Sequence, residues 1–118
     1  MRIEIKTKNV NEAAELKNHA RDKAQSKFAR FKSHIQSIVI RLEDINGPKG
    51  GCDKQCKIEV HGVFGTKMIE TRDLDAIVAV DRALETAEYA IRRQVERHVN
   101  ESKQAREGNV RFRALPLQ

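Results

Sequence analysis

The chain has few aromatic residues: four Phe, one Tyr and no Trp among 118. Binding of single-stranded nucleic acid by stacking needs exposed rings side by side on a strand face. Phe28 and Phe31 fall on the apolar stripe of a helical pattern, Phe64 falls in a turn, Tyr89 on the last helix and Phe112 near the C-terminus. No exposed pair on one strand is expected, so a stacking platform is disfavoured. Apolar runs are short as well. The longest, Ala76–Val80, is too short to cross a membrane. Met1–Thr7 alternates polar and apolar residues, so no secretory signal is expected. Two cysteines without secretory features suggest reduced thiols in a cytoplasm.

Cys52, Cys56 and His61 raise a metal site, which needs its ligand atoms to converge. Residues four apart on a strand lie about 13 Å apart, and His61 has the opposite parity to Cys56. Zinc would therefore require Cys52 to fold back within its glycine loop; a buried Cys56 and a loop Cys52 are expected instead, with no metal and no cofactor. The same spacing disfavours a Cys52–Cys56 disulfide. Catalysis has little support: His19 and His34 lie on or beside the first helix, His61 ends a strand and His98 is on the last helix, the carboxylates are scattered, and no nucleophile and base stand at a suggestive spacing. Gly47-Pro48-Lys49-Gly50-Gly51 is not a phosphate-binding loop, since no Gly-Lys-Ser/Thr opens a helix after it. An enzyme with a small-molecule substrate is not expected.

Charge is what the chain has, and it is unevenly placed. The formal net charge is +6. Residues 12–32 carry six Lys or Arg against three acids, and residues 92–118 carry seven against three. These two segments supply +3 and +4, leaving about −1 for the rest, which is the footprint of a polyanion binder. The competing reading is an ordinary solvated surface with intrahelical pairs such as Arg93–Glu96 or Arg97–Glu101.

Periodicity supplies the elements. Ile77, Val80, Leu84, Ala87, Ile91, Val95 and Val99 recur at steps of three and four, predicting a helix over 75–104 with one apolar stripe. Arg82, Arg92, Arg93 and Arg97 mostly fall off that stripe. A first helix up to about Phe31 carries Ala13, Leu16, Ala20, Ala24, Phe28 and Phe31 on its apolar side and Lys23, Lys27 and Arg30 elsewhere. Asn9 and Glu12 have capping-box spacing at its start. Alternation predicts strands at Arg2–Thr7, around Ile38–Leu42, at Lys54–Val60 and at Thr66–Thr71. Asn46–Gly51 must be a loop, Asp73 is the expected cap of the last helix with Asp75 in its first turn, and Gly108 its expected stop.

The order β-α-β-β-β-α predicts an α+β domain over residues 1–107: a four-stranded mixed sheet with both helices packed on one face. Residues 108–118 are expected to form a basic tail.

With these elements in place, the sequence resembles the ribosome hibernation-promoting factor and ribosome-associated inhibitor family, also called sigma-54 modulation proteins. The resemblance covers about residues 1–107. It rests on the element order, the opening Arg2-Ile3-Glu4-Ile5 strand, the basic first helix closing in Lys27-Phe28-Ala29-Arg30-Phe31, the Cys56-x-Ile58-x-Val60 strand, and Asp73-Leu74-Asp75-Ala76 opening an Arg-rich helix. It implies a fold like the double-stranded-RNA-binding domain. It also implies a cytoplasmic, stationary-phase stress factor seated on the small ribosomal subunit, which covers the messenger and transfer RNA sites. Against the family's long form, which carries a C-terminal dimerisation domain, the sequence looks like the short form, and a monomer when free is expected. RNA contacts are expected from Lys23, Lys27, Arg30, Lys49, Arg82, Arg92, Arg93 and Arg97, meeting folded RNA through phosphates and shape. The alternative is a protein-interaction module that regulates transcription machinery without binding ribosomes.

Overall fold

The computed structural model describes residues 1–10, 13–45 and 54–114, with side chains described up to residue 100. Its elements are β1 (Arg2–Lys8), α1 (Ala13–Phe28) followed by a 3-10 turn (Ala29–Phe31), β2 (Ile35–Asp44), β3 (Lys54–Gly62), β4 (Gly65–Asp73) and α2 (Ala76–Ala114). The strands form one sheet in the order β1-β2-β3-β4. β1 runs parallel to β2, with Ile3 opposite Ile38 and Ile5 opposite Ile40. The other two pairings are antiparallel. The crossover α1 lies against β1, α2 lies against β3 and β4, and the two helices touch each other. This is the expected β-α-β-β-β-α arrangement, with one sheet face covered.

The covered face is the core. Ile5, Ile38, Ile40, Leu42, Cys56, Ile58 and Val60 meet Leu16, Ala20, Ala24 and Phe28 of α1 and Val80, Leu84, Ile91 and Val95 of α2. Ile3 is only partly buried, packed at the edge of this cluster. Ile35 is buried as well, although three residues from Ile38 it should face the other way. A register shift between Ile35 and Ser37 restores its direction, as an extra residue in one strand does.

Ala20 and Ala24 on α1 and Ala79, Ala83 and Ala87 on α2 have no exposed surface. Side chains this small let the helices come close to each other and to the sheet. The apolar stripe of α2 is thus widened by alanines and shorter at its ends than the 3.6-residue pattern suggested. Ile77 and Val99 are about half exposed, at 46% and 48%.

Two local expectations are corrected. The N-cap of α2 is Asp75: its Oδ1 accepts from the Ile77 N–H at 2.8 Å and its carbonyl from the Ala79 N–H at 3.0 Å. Asp73 stands one step earlier, accepting from the Asp75 N–H at 3.2 Å and from Arg82 Nη1 at 3.2 Å. Asn9 has a left-handed φ of 56°, a conformation Asn tolerates better than most residues; Glu12, its expected capping-box partner, lies outside the described residues. Gly108 does not end α2, which continues to Ala114. An interior glycine weakens a helix by only about 1 kcal/mol.

Candidate nucleic-acid interface

The two helices lie side by side, and the basic residues of α1 find acids on α2. Two acids two turns apart on α2 each take two partners. Asp81 Oδ1 lies 2.7 Å from His19 Nε2 and 2.9 Å from Lys23 Nζ. Glu88 accepts from Lys27 Nζ at 3.2 Å and Arg30 Nη2 at 3.4 Å. Burial pushes the Asp81 carboxyl up, but the hydrogen bonds from His19 and Lys23 outweigh it and hold the group below its ordinary value. Arg30 also lies over the Phe31 ring, 4.7 Å from its centroid. Lys23, Lys27 and Arg30 are therefore brought together, but along a seam where Asp81 and Glu88 offset much of their charge.

Arg82 sits near the other end of α2, 3.2 Å from Asp73. The Asp75 N–H, contributing most, acts with the Arg82 guanidinium and the Leu74 N–H to hold the Asp73 carboxyl below its ordinary value.

The C-terminal half of α2 is different. Among the described residues, Arg92, Arg93 and Arg97 have no carboxylate partner. Arg92 and Arg93 flank exposed Tyr89, with guanidinium carbons 5.4 and 5.8 Å from the ring centroid. Arg93 Nη1 donates to the Tyr89 hydroxyl at 3.2 Å. The pair Arg93–Glu96 anticipated from spacing is not formed, and the side chain of Glu101 lies outside the described residues. Tyr89, Arg93 and Arg97 follow one another at steps of four and so share one outward ridge. An aromatic ring under two guanidinium groups limits their rotamers while leaving their N–H donors available. This arrangement can hold phosphate oxygens, with little side-chain order left to impose on binding.

Tyr89, Asp81 and Glu88 went unrecognised in the sequence. Tyr89 had a local signal, a ring followed at the third and fourth positions by Arg. The two acids had none, since their partners lie about sixty residues away. A second cationic feature emerges only from strand register: Lys6 pairs with Arg41 and Arg41 with Lys57 across the uncovered sheet face, where all three are exposed. Arg41 is bonded to Glu59 at 3.2 Å; the row continues to Glu70 on β4.

Cys56 is buried and free, and burial pushes its thiol up to about 12. Among the described residues no three His, Cys, Asp or Glu side chains converge as metal ligands. Lys49 and Cys52 lie outside the described residues. No helix among the described residues is long and apolar enough to cross a membrane.

An α+β domain with one bare sheet face and an arginine-lined helix is the class these features define. The family model described as sigma 54 modulation protein / S30EA ribosomal protein matches residues 3–99, and the chain belongs to that family, one of ribosome-associated factors and not of enzymes. Solved structures share the fold. A ribosomal subunit interface protein from Coxiella burnetii superposes with a TM-score of 0.58 at 17% identity, covering 79% of this chain and 96% of that one. The N-terminal domain of Protein Y from Thermus thermophilus gives 0.55 at 22% identity, covering 79% and 98%. No curated protein matches the chain.

Proposed function

We propose that this protein is a non-catalytic ribosome-associated inhibitor of translation. It binds small-subunit ribosomal RNA through the outward face of α2 and covers the sites of messenger and transfer RNA. It acts as a monomer in the cytoplasm during stress or stationary phase, and it uses no cofactor. The carrying observation is that Arg92, Arg93 and Arg97 stand without acidic partners among the described residues while Tyr89 orders two of them. A cation whose charge is not already offset gains the most from meeting a phosphate, since it releases condensed counterions. Family membership supports the ribosome as the polyanion.

Lys23, Lys27 and Arg30 extend the basic surface across the seam. Their charges total +3 against −2 from Asp81 and Glu88, so they add a net +1. Arg82 and Lys49 complete the proposed contact set. Folded RNA is met by its backbone and shape, and base sequence is not read.

Co-sedimentation with purified small subunits over a salt series tests this. Arg92, Arg93 and Arg97 alone, one phosphate each, predict a slope of log affinity against log salt of roughly −2 to −3, and each further cation that engages a phosphate steepens it. A flat dependence, or binding to transcription machinery without binding to ribosomes, contradicts the proposal and favours the protein-interaction alternative.

A further inference from the structure

The bare face of the sheet carries a row of like charges that the fold does not explain. Lys6 on β1 stands directly opposite Arg41 on β2, and Arg41 directly opposite Lys57 on β3. Like charges set opposite each other across strands destabilise a sheet. The adjoining rows avoid this. On one side Lys8 faces Glu43 and pairs with it at 3.8 Å. On the other side the uncharged Val39 separates Glu4 from Glu59. Each of those acids has its own cation, Arg2 at 2.6 Å from Glu4 and His61 at 3.2 Å from Glu59. Lys6, Arg41 and Lys57 are all exposed and lie outside the core, so packing does not require them. Arg41 meets the Glu59 carboxylate at 3.2 Å, whereas Lys6 and Lys57 have no carboxylate partner among the described residues.

The width of the row selects the anion it fits. Successive rows on one face of a sheet are about 6.6 Å apart, two residues along each strand. Glu4 and Glu59 border the cations on one side, Glu43 on the other, and Glu70 closes the row on β4. An RNA duplex laid on this face spans several rows and brings its phosphates against those acids. Unpaired bases find nothing to stack on, since none of the four strands contains Phe, Tyr or Trp. A protein segment one chain wide, with carboxylates along one side, reaches the cations without meeting the bordering acids. Neighbouring strands are about 5 Å apart and an extended peptide repeats its side chains on one side about every 6.6 Å. Long Lys and Arg side chains can span that difference. Val39 and Met68 stand in the next row, and Met68 is 66% exposed. A methionine adapts its shape to varied protein partners.

We propose that the bare sheet face docks an acidic, extended segment of a protein partner along the Lys6–Arg41–Lys57 row. This face and the outward face of α2 lie on opposite sides of the molecule, because α2 covers the other side of the sheet. The chain can therefore hold RNA on α2 and the acidic segment on the sheet at the same time. The inference goes beyond the RNA-binding reading and does not depend on it.

A fluorescein-labelled peptide of about twelve residues, Glu alternating with Ser, serves as the probe in anisotropy titrations at low salt. Lys6→Glu with Lys57→Glu should weaken peptide binding at least about tenfold, because two attractions become repulsions. Lys6→Gln with Lys57→Gln removes the charges without adding acids beside Glu70, and it should lose several-fold if the reversed variant folds poorly. Arg92→Glu with Arg93→Glu should keep peptide affinity within about twofold of wild type. A fully paired RNA hairpin at saturating concentration should leave the peptide bound. The docking surface is overturned if the peptide does not bind, if both sheet variants bind it like wild type, or if the hairpin displaces it. The hairpin's own affinity for the wild type and for the α2 variant reports on the RNA reading separately, so the two can fail independently.

Discussion

Arg93 donates to the hydroxyl of Tyr89, one turn earlier on α2, at 3.2 Å, and its guanidinium carbon lies 5.8 Å from the ring centroid. Arg92 takes another approach to the same ring at 5.4 Å. The ring thus holds two cations that would otherwise sweep through many rotamers, so RNA binding has less side-chain freedom to remove. Tyr89→Ala should weaken RNA binding roughly two- to fivefold, the scale of an exposed cation–π contact. Tyr89→Phe keeps the ring and should lose less. Both should unfold within about 0.5 kcal/mol of wild type in urea, because Tyr89 is exposed. Equal binding by wild type and Tyr89→Ala would show that the ring does not order the arginines.

The packing account is tested by pairing a buried position with an end position on α2. Leu84 has no exposed surface, and Leu84→Ala should cost about 2–5 kcal/mol in urea unfolding. Val99, 48% exposed, should cost far less when changed to Ala. Similar losses at both would mean the buried stripe extends past Val95.

The Asp81 seam has a pH signature. Its carboxyl is held below its ordinary value in the folded protein, so the ionised form stabilises the fold. That contribution is complete above the unfolded-state pKa and disappears as pH falls through the lower folded-state value. Asp81→Asn should therefore be less stable than wild type at neutral pH, with the gap closing on acidification. A gap constant down to the lowest measurable pH would show that Asp81 acts without its charge.

Cys56 should resist alkylation in the native protein at mildly alkaline pH, because burial pushes its thiol up to about 12 and only the thiolate reacts. It should label readily in denaturant. Peptide mass analysis distinguishes it from Cys52. Fast native labelling of Cys56 would contradict the buried assignment of β3.

What the sequence disclosed and what it hid have physical reasons. Alternation at Ile38, Ile40 and Leu42, and at Cys56, Ile58 and Val60, exposed the sheet because one face is buried and the other wet. The breaks around Gly62 and Gly65 marked the hairpin, and the element order then limited the topology. Local patterns failed where a distant element decides. Ala79 and Ala83 look like neutral helix formers until α1 and the sheet close over them. Choosing between Asp73 and Asp75 as the cap needs the geometry of a single turn. Lys23, Lys27 and Arg30 read as free cations because Asp81 and Glu88 are far off in the chain. Lys6 looks isolated until register sets Arg41 beside it. The arginine-rich end of α2 was legible because its cations are crowded within one helix.

The most direct test of the central claim compares charge reversal on the two faces of the molecule, by co-sedimentation with purified small subunits at several salt concentrations. Arg92→Glu with Arg93→Glu alters the outward face of α2, and Lys6→Glu with Lys57→Glu alters the bare sheet face. All four residues lie outside the buried core, so both variants should fold. The account predicts that the helix variant binds at least about tenfold more weakly and that its salt slope is shallower by about two, one for each phosphate that the variant no longer neutralises. The sheet variant should stay within about twofold of wild type. If the helix variant sediments like wild type, or the sheet variant is the one released, the RNA-facing surface is not α2.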